Sequence, residues 1–80
     1  MNKFPKSFFP DQKVVDRIKK KYKKGKRVRL IRMNDPYVKI PEGTLGTVTG
    51  VDDVGTIFVN WDTGHTLGIV YKEDECVLVQ

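Results

Sequence analysis

Residues 44–61, TLGTVTGVDDVGTIFVNW, hold the pattern from which the rest of the chain is read. Asp52 to Gly55 form a turn signal between two strand-like runs. After it, Ile57, Val59 and Trp61 fall on one face, as a half-buried strand requires. Before it, Gly46 and Gly50 flank Val48, and glycine inside a strand marks a bend or a close approach of backbone. That strand is therefore expected to be strongly coiled. Upstream, RVRLIRM at 27–33 alternates in its first half, with Val28 and Leu30 on one face and Arg27 and Arg29 on the other. Residues 34–43, with Asp35, Pro36, Pro41 and Gly43, read as a loop. Downstream, Asp62, Thr63 and Gly64 turn the chain into a short strand over 66–70. A polar connection covers 71–75, and CVLV at 76–79 is a last strand. Five short strands with tight turns in about 55 residues fit a small, strongly bent antiparallel barrel.

Ahead of the barrel, Val14, Val15, Ile18 and Tyr22 recur at helical spacing, which predicts an amphipathic helix over 10–24. Pro10 suits its first position, Asp11 its positive end, the far lysines its negative end, and Gly25 its stop. On the opposite side Lys13, Arg17, Lys20 and Lys24 form a basic stripe at steps of four, three and four. Phe4, Phe8 and Phe9 are interrupted by Pro5 and Pro10, which argues against a regular element there; they are expected to anchor the helix or to stay exposed as a contact. The organisation is thus an arm with a basic helix over 1–25 and a barrel over 26–80.

At 80 residues the chain is one domain without room for a second core. Cys76 is its single cysteine, so no internal disulfide or multi-cysteine zinc site staples it. No apolar run approaches the roughly 18 residues of a membrane span, and Met1 to Pro10 lacks the continuous apolar core of a signal peptide. A soluble, cytoplasmic protein is expected. Its net charge of +5 conceals a strong asymmetry. Residues 1–32 carry 13 Lys and Arg against Asp11 and Asp16, a balance of +11, while residues 33–80 carry Lys39 and Lys72 against eight acids, a balance of −6. A basic arm precedes an acidic body, and that polarity points to a class of partner rather than to an activity.

The order of strand, long loop, three closely joined strands and a last short strand resembles an SH3-like barrel. Gly43, Thr44, Leu45, Gly46, Thr47 and Val48 form the Gly-x-x-Gly-x-Val run that opens the second strand in KOW-type and translation-protein versions of that barrel. A wider resemblance covers RVRLIRMNDPY, PEGTLGTVTGVDDVGTIFVNWDTG and VYKEDEC. These stretches are similar to the small bacterial family of domain of unknown function four-three-one-four, met in Gram-positive bacteria, their phages and mobile elements. The resemblance implies the SH3-like fold and carries no catalytic or binding residues with it. The chain departs from the family at its lysine-rich helix and at Lys72, where glycine is commoner.

Side-chain chemistry argues against an enzyme. A nucleophile and base pair would need both His65 and Cys76, with no third group to orient them. Cys76 begins an apolar run and reads as a small core residue. Asp52, Asp53 and Asp62 occupy turns, where aspartate closes the backbone through its side chain. Glu73, Asp74 and Glu75 lack the alternating spacing of a calcium loop. No catalytic residue, metal site or cofactor is expected. Trp61 reads as a barrel filler, or else as part of a protein-binding surface with Tyr37 and Tyr71. The loop lacks the acidic and aromatic run that proline-peptide binders use.

The basic stripe remains, continued by Lys26, Arg27, Arg29 and Arg32. Such a patch is ordinarily a solvated face, but a phosphate backbone rewards it through counterion release. The expected function is a non-catalytic module that contacts nucleic acid, or a nucleic-acid-associated complex, through Lys13, Arg17, Lys20, Lys24, Lys26, Arg27 and Arg29. The alternative is a phage or mobile-element accessory protein that binds and inhibits a host protein such as a defence nuclease, in the manner of an anti-CRISPR. No membrane partner is expected.

Overall fold

A computed structural model describes residues 10–35 and 37–79. Phe4, Phe8, Phe9 and Pro36 lie outside the described residues. One helix, α1 (Gln12–Lys21), precedes five strands: β1 (Arg27–Arg32), β2 (Leu45–Val51), β3 (Ile57–Trp61), β4 (Thr66–Ile69) and β5 (Glu75–Leu78). All pairings are antiparallel, in the order β4-β3-β2-β1-β5. The fold is mainly β, an SH3-like barrel with an N-terminal amphipathic helix.

Two bulges curl the sheet. One lies between Val48 and Gly50 of β2, the other between Leu30 and Arg32 of β1. Gly50 thus marks a bend, whereas Gly46 marks close approach. A Cβ at Gly46 would lie 2.5 Å from Val59 Cγ1 and 2.8 Å from the Trp61 ring, so the indole rests directly on the β2 backbone. Inward-facing Val28, Leu30, Val48, Ile57, Val59, Trp61, Ile69 and Cys76 form the core. Ile40, from the long loop, joins them.

The helix is shorter than its periodicity predicts. Asp11 is its N-cap, accepting the Val14 N–H at 3.1 Å, so Pro10 precedes the cap instead of opening the first turn. The last turn closes at Tyr22, whose N–H donates to Ile18 O at 2.8 Å, three residues before Gly25. The early stop releases the Tyr22 ring into the barrel core. Helix and barrel therefore share one core across the sequence boundary at 25/26. Lys26 N–H donates to Lys23 O, and Gly25 N–H to Val48 O at 2.8 Å, fixing the connection on β2.

The β2–β3 turn is the other seat of the helix. Asp52 Oδ1 accepts the N–H groups of Val54 and Thr56 at 3.0 and 2.8 Å, the aspartate closure expected of this turn. Gly55 follows at φ +81°, and a Cβ there would meet Ile18 Cδ1 at 3.3 Å and Pro10 Cγ at 3.4 Å. Glycine satisfies both the left-handed backbone and the closeness of the helix.

Among non-glycine described residues, Lys72 alone has positive φ, +67°. A left-handed lysine costs about 1–2 kcal/mol, partly offset by the greater unfolded-state freedom of glycine. Lys72→Gly is expected to stabilise the fold by about 0.5–1 kcal/mol, read as a higher urea midpoint at unchanged slope. A lower midpoint would show that the lysine side chain matters more than its backbone.

Candidate nucleic-acid interface

Helical geometry decides which side chains α1 presents. Val15 and Tyr22 are buried and Ile18 packs against the core, so the inward arc is fixed. At 100° per residue, Lys13, Arg17 and Lys20 then lie on the far side, and all three are exposed. Lys24 and Lys26 are exposed in the following turn, and Arg29 on the outer face of β1. None of these six makes an ion pair among the described residues. Asp16 is the one carboxylate near Lys13 and Lys20 on the helix, and no acid occurs in sequence between it and Asp35 to accompany Lys24, Lys26 and Arg29.

Arg27 differs. Its guanidinium grips Asp62 with Nη1 to Oδ1 at 2.9 Å and Nη2 to Oδ2 at 2.6 Å, while Nη1 also donates to Thr47 Oγ1 at 2.9 Å. The hydrogen bond from Arg27 holds the Asp62 carboxyl below its usual range, and the same bond raises Arg27. Arg27 is a clasp between β1 and the β3–β4 turn, already committed within the protein. Lys19, on the flank of the helix, likewise holds Asp53 at 3.0 Å. Sequence placed Asp53 and Asp62 as backbone closers. They take cations instead, and the closers besides Asp52 are Asp35 and Asp74. Asp35 accepts from the Tyr37 and Val38 N–H groups, which lower its pKa. Asp74 accepts from Asn34 N–H and Val70 N–H.

Among the described residues no three His, Cys, Asp or Glu side chains gather as a metal site. His65 is exposed in the β3–β4 turn, with Nδ1 2.9 Å from Thr63 Oγ1, whereas Cys76 is buried in β5. Burial pushes the Cys76 thiol up to about 11, with Glu75 adding to the rise and Lys21 opposing it; burial also raises Tyr22. A raised folded-state pKa contributes stability that is complete below the unfolded value, 9.0 for the thiol, and lost as pH rises through about 11. The urea midpoint should therefore fall across that window, less steeply in Cys76→Ala. An equal fall in both proteins would assign the alkaline loss elsewhere.

The three aromatics singled out in sequence do not share a surface. Trp61 is 2% exposed, with its indole N–H donating to Leu67 O at 3.1 Å, which corrects its placement in a protein-binding face. Tyr37 is 92% exposed on the long loop. Tyr71 lines a cleft of about 330 Å³, with Ile18 of α1 and Tyr22 just after it, Ile57, Ile69 and Cys76 of the barrel, and Arg32, Lys72, Asp74 and Glu75 as its charged lining. Neither Tyr37 nor Trp61 lines it. This cleft lies where the sheet stays open, since β4 and β5 end the strand order without pairing. Val79 N–H bonds Arg27 O, so antiparallel alternation turns the Cys76 peptide groups away from β1. The Tyr22 hydroxyl donates to that outward Cys76 carbonyl at 3.3 Å, partly covering the edge that sequence left open. Tyr22 repeats with Ile18 as ordinary helix periodicity, and nothing in that pattern reveals a cleft partner 54 residues away.

The geometry defines a small SH3-like barrel domain that carries a docked amphipathic helix with its basic face outward. No helix among the described residues is long and apolar enough to cross a membrane. The chain belongs to the family described as Domain of unknown function (DUF4314), whose profile matches residues 11–79. No curated protein and no solved structure matches it.

Proposed function

We propose that this protein is a non-catalytic module that contacts nucleic acid through the outward face of α1 and the turn that follows it. One observation carries the reading: burial of Val15 and Tyr22 commits the opposite face, with Lys13, Arg17 and Lys20, to solvent. Lys24, Lys26 and Arg29 extend the set, and Arg27 supports it by fastening β1 to Asp62. Such side chains grip phosphates and position the protein without reading bases. The reading carries a cytoplasmic location with it.

Counterion release makes the proposal measurable. Four phosphate contacts, from Lys13, Arg17, Lys20 and Lys24, give a slope of log affinity against log salt of about −3 to −4. Titration of labelled duplex and single-stranded oligonucleotides across a salt series is expected to return it. Affinity that ignores salt, or no binding at low salt, ends the reading. A protein captured from a bacterial lysate after nuclease digestion, with no oligonucleotide binding, favours a protein target in its place.

A further inference from the structure

We propose that the N-terminal segment of this chain folds back into the cleft between α1 and the β4–β5 turn, seating the Phe8 ring on its apolar floor and Lys6 beside its carboxylates. The nucleic-acid reading uses the opposite face of α1 and is independent of this docking.

The segment starts at the cleft. Pro10, the first described residue, has its Cγ 3.4 Å from where a Cβ on Gly55 would sit, and Gly55 lines the cleft together with Ile18. Residues 1–9 therefore leave from the cleft rim. An extended chain advances about 3.3–3.6 Å per residue, which puts residue 8 within about 7 Å of Pro10 and residue 4 within about 20 Å. Phe9 precedes a proline, which disfavours helical backbone there, and the fixed φ of Pro5 suits an extended path. Along such a path alternate side chains share a side. Phe4, Lys6 and Phe8 then fall on one side, and Lys3, Pro5, Ser7 and Phe9 on the other. The first side, two rings about one lysine, is the one that matches an apolar floor with carboxylates in its lining.

Shape and charge both fit. Ile18, Ile57, Ile69 and Cys76 form the floor, and about 330 Å³ has room for a phenyl ring. Tyr22 and Tyr71 flank that space, and aromatic rings pack favourably edge to face or offset. The sheet is open here, because β4 and β5 end the strand order, so the segment covers apolar surface that no strand covers. A recess of about 320 Å³ adjoins the cleft and shares Arg32 and Lys72 with it. Together they set Glu73, Asp74 and Glu75 against those two cations, an excess of one negative charge. Lys72 is turned to the Tyr71 ring, with Nζ 5.7 Å from its centroid, and none of the three acids makes an ion pair among the described residues. Residues 1–9 carry Lys3 and Lys6 and no acid, so the segment brings the sign of charge that the cleft lacks.

The test uses the full chain labelled on isoleucine methyl groups, and reads nuclear Overhauser contacts from phenylalanine ring protons to the methyls of Ile18, Ile57 and Ile69. Wild type is expected to show them, Phe8→Leu to lose them and Phe9→Leu to keep them. Phe58 is present in every sample, so only contacts that vanish with Phe8 count. Cys76 lines the same cleft and gives a second readout. Its modification by a thiol reagent is expected to be about tenfold faster in Phe8→Ser than in wild type, the factor that one buried phenylalanine is worth, and unchanged in Phe9→Ser. Native Trp61 fluorescence checks that each variant has folded. Absence of the contacts in wild type, their survival in Phe8→Leu, or equal thiol rates in Phe8→Ser and wild type overturns the docking. Contacts found only between differently labelled copies in a mixed sample assign the segment to a second molecule and overturn it too. Each of these results leaves the nucleic-acid reading standing.

Discussion

Trp61→Ala is expected to remove about 3–5 kcal/mol of stability, a large share of the total. The indole is 2% exposed, its N–H is satisfied by Leu67 O, and its ring lies on the β2 backbone because residue 46 has no Cβ. Truncating a buried tryptophan to alanine costs about 3–5 kcal/mol, since the cavity adds to the lost transfer energy. At roughly 0.05–0.15 kcal/mol per residue, a chain of this length has a total stability of about 4–12 kcal/mol, and small domains have little reserve. One substitution therefore removes a large share of the whole. The check is a urea transition followed by far-ultraviolet circular dichroism, because the variant has no tryptophan to report. A midpoint equal to wild type would return Trp61 to the surface role among those weighed from sequence. Trp61→Phe, which keeps a ring over Gly46, is expected to lose less.

What was legible in sequence follows from how local each signal is. Strand alternation places Ile57, Val59 and Trp61 on one face whatever packs against them, and the structure buries all three. Gly46 and Gly50 announce a coiled strand, and the register shows one as a point of contact and the other beside a bulge. The Arg27–Asp62 clasp spans 35 residues, and alternation sees Arg27 only as another outward cation. Ile40 is hidden for a related reason: it sits in a loop without period, and tertiary packing alone makes it core. The helix boundary failed through competition. Capping at Asp11 and the demand of the core for Tyr22 override the softer signals of Pro10 and Gly25. The cleft needs α1, β3, β4 and β5 at once, so no stretch of sequence contains it.

Reversing the outward helix face is expected to weaken nucleic-acid binding at least about 100-fold without loss of fold. In the triple variant Lys13→Glu, Arg17→Glu, Lys20→Glu, each position is exposed, each lies opposite the buried arc of Val15 and Tyr22, and none makes an ion pair among the described residues. Glutamate is a comparable helix former, so stability should change little. Each phosphate contact contributes about 0.7–0.9 decade of affinity for a tenfold change in salt, the lower value for single strands. Relative to 1 M salt, losing three contacts at 0.1 M costs about 2–2.7 decades, or roughly 100- to 500-fold, before any repulsion from the new carboxylates. The slope should flatten by two to three over the range where binding is still measurable, to about −1. Net charge alone is a competing cause, because three reversals take the chain from +5 to −1. Reversing Lys19, Lys23 and Lys39 produces the same net charge with the stripe intact. That variant is expected to lose far less affinity, and equal losses in the two would mean that the helix face has no special part in binding.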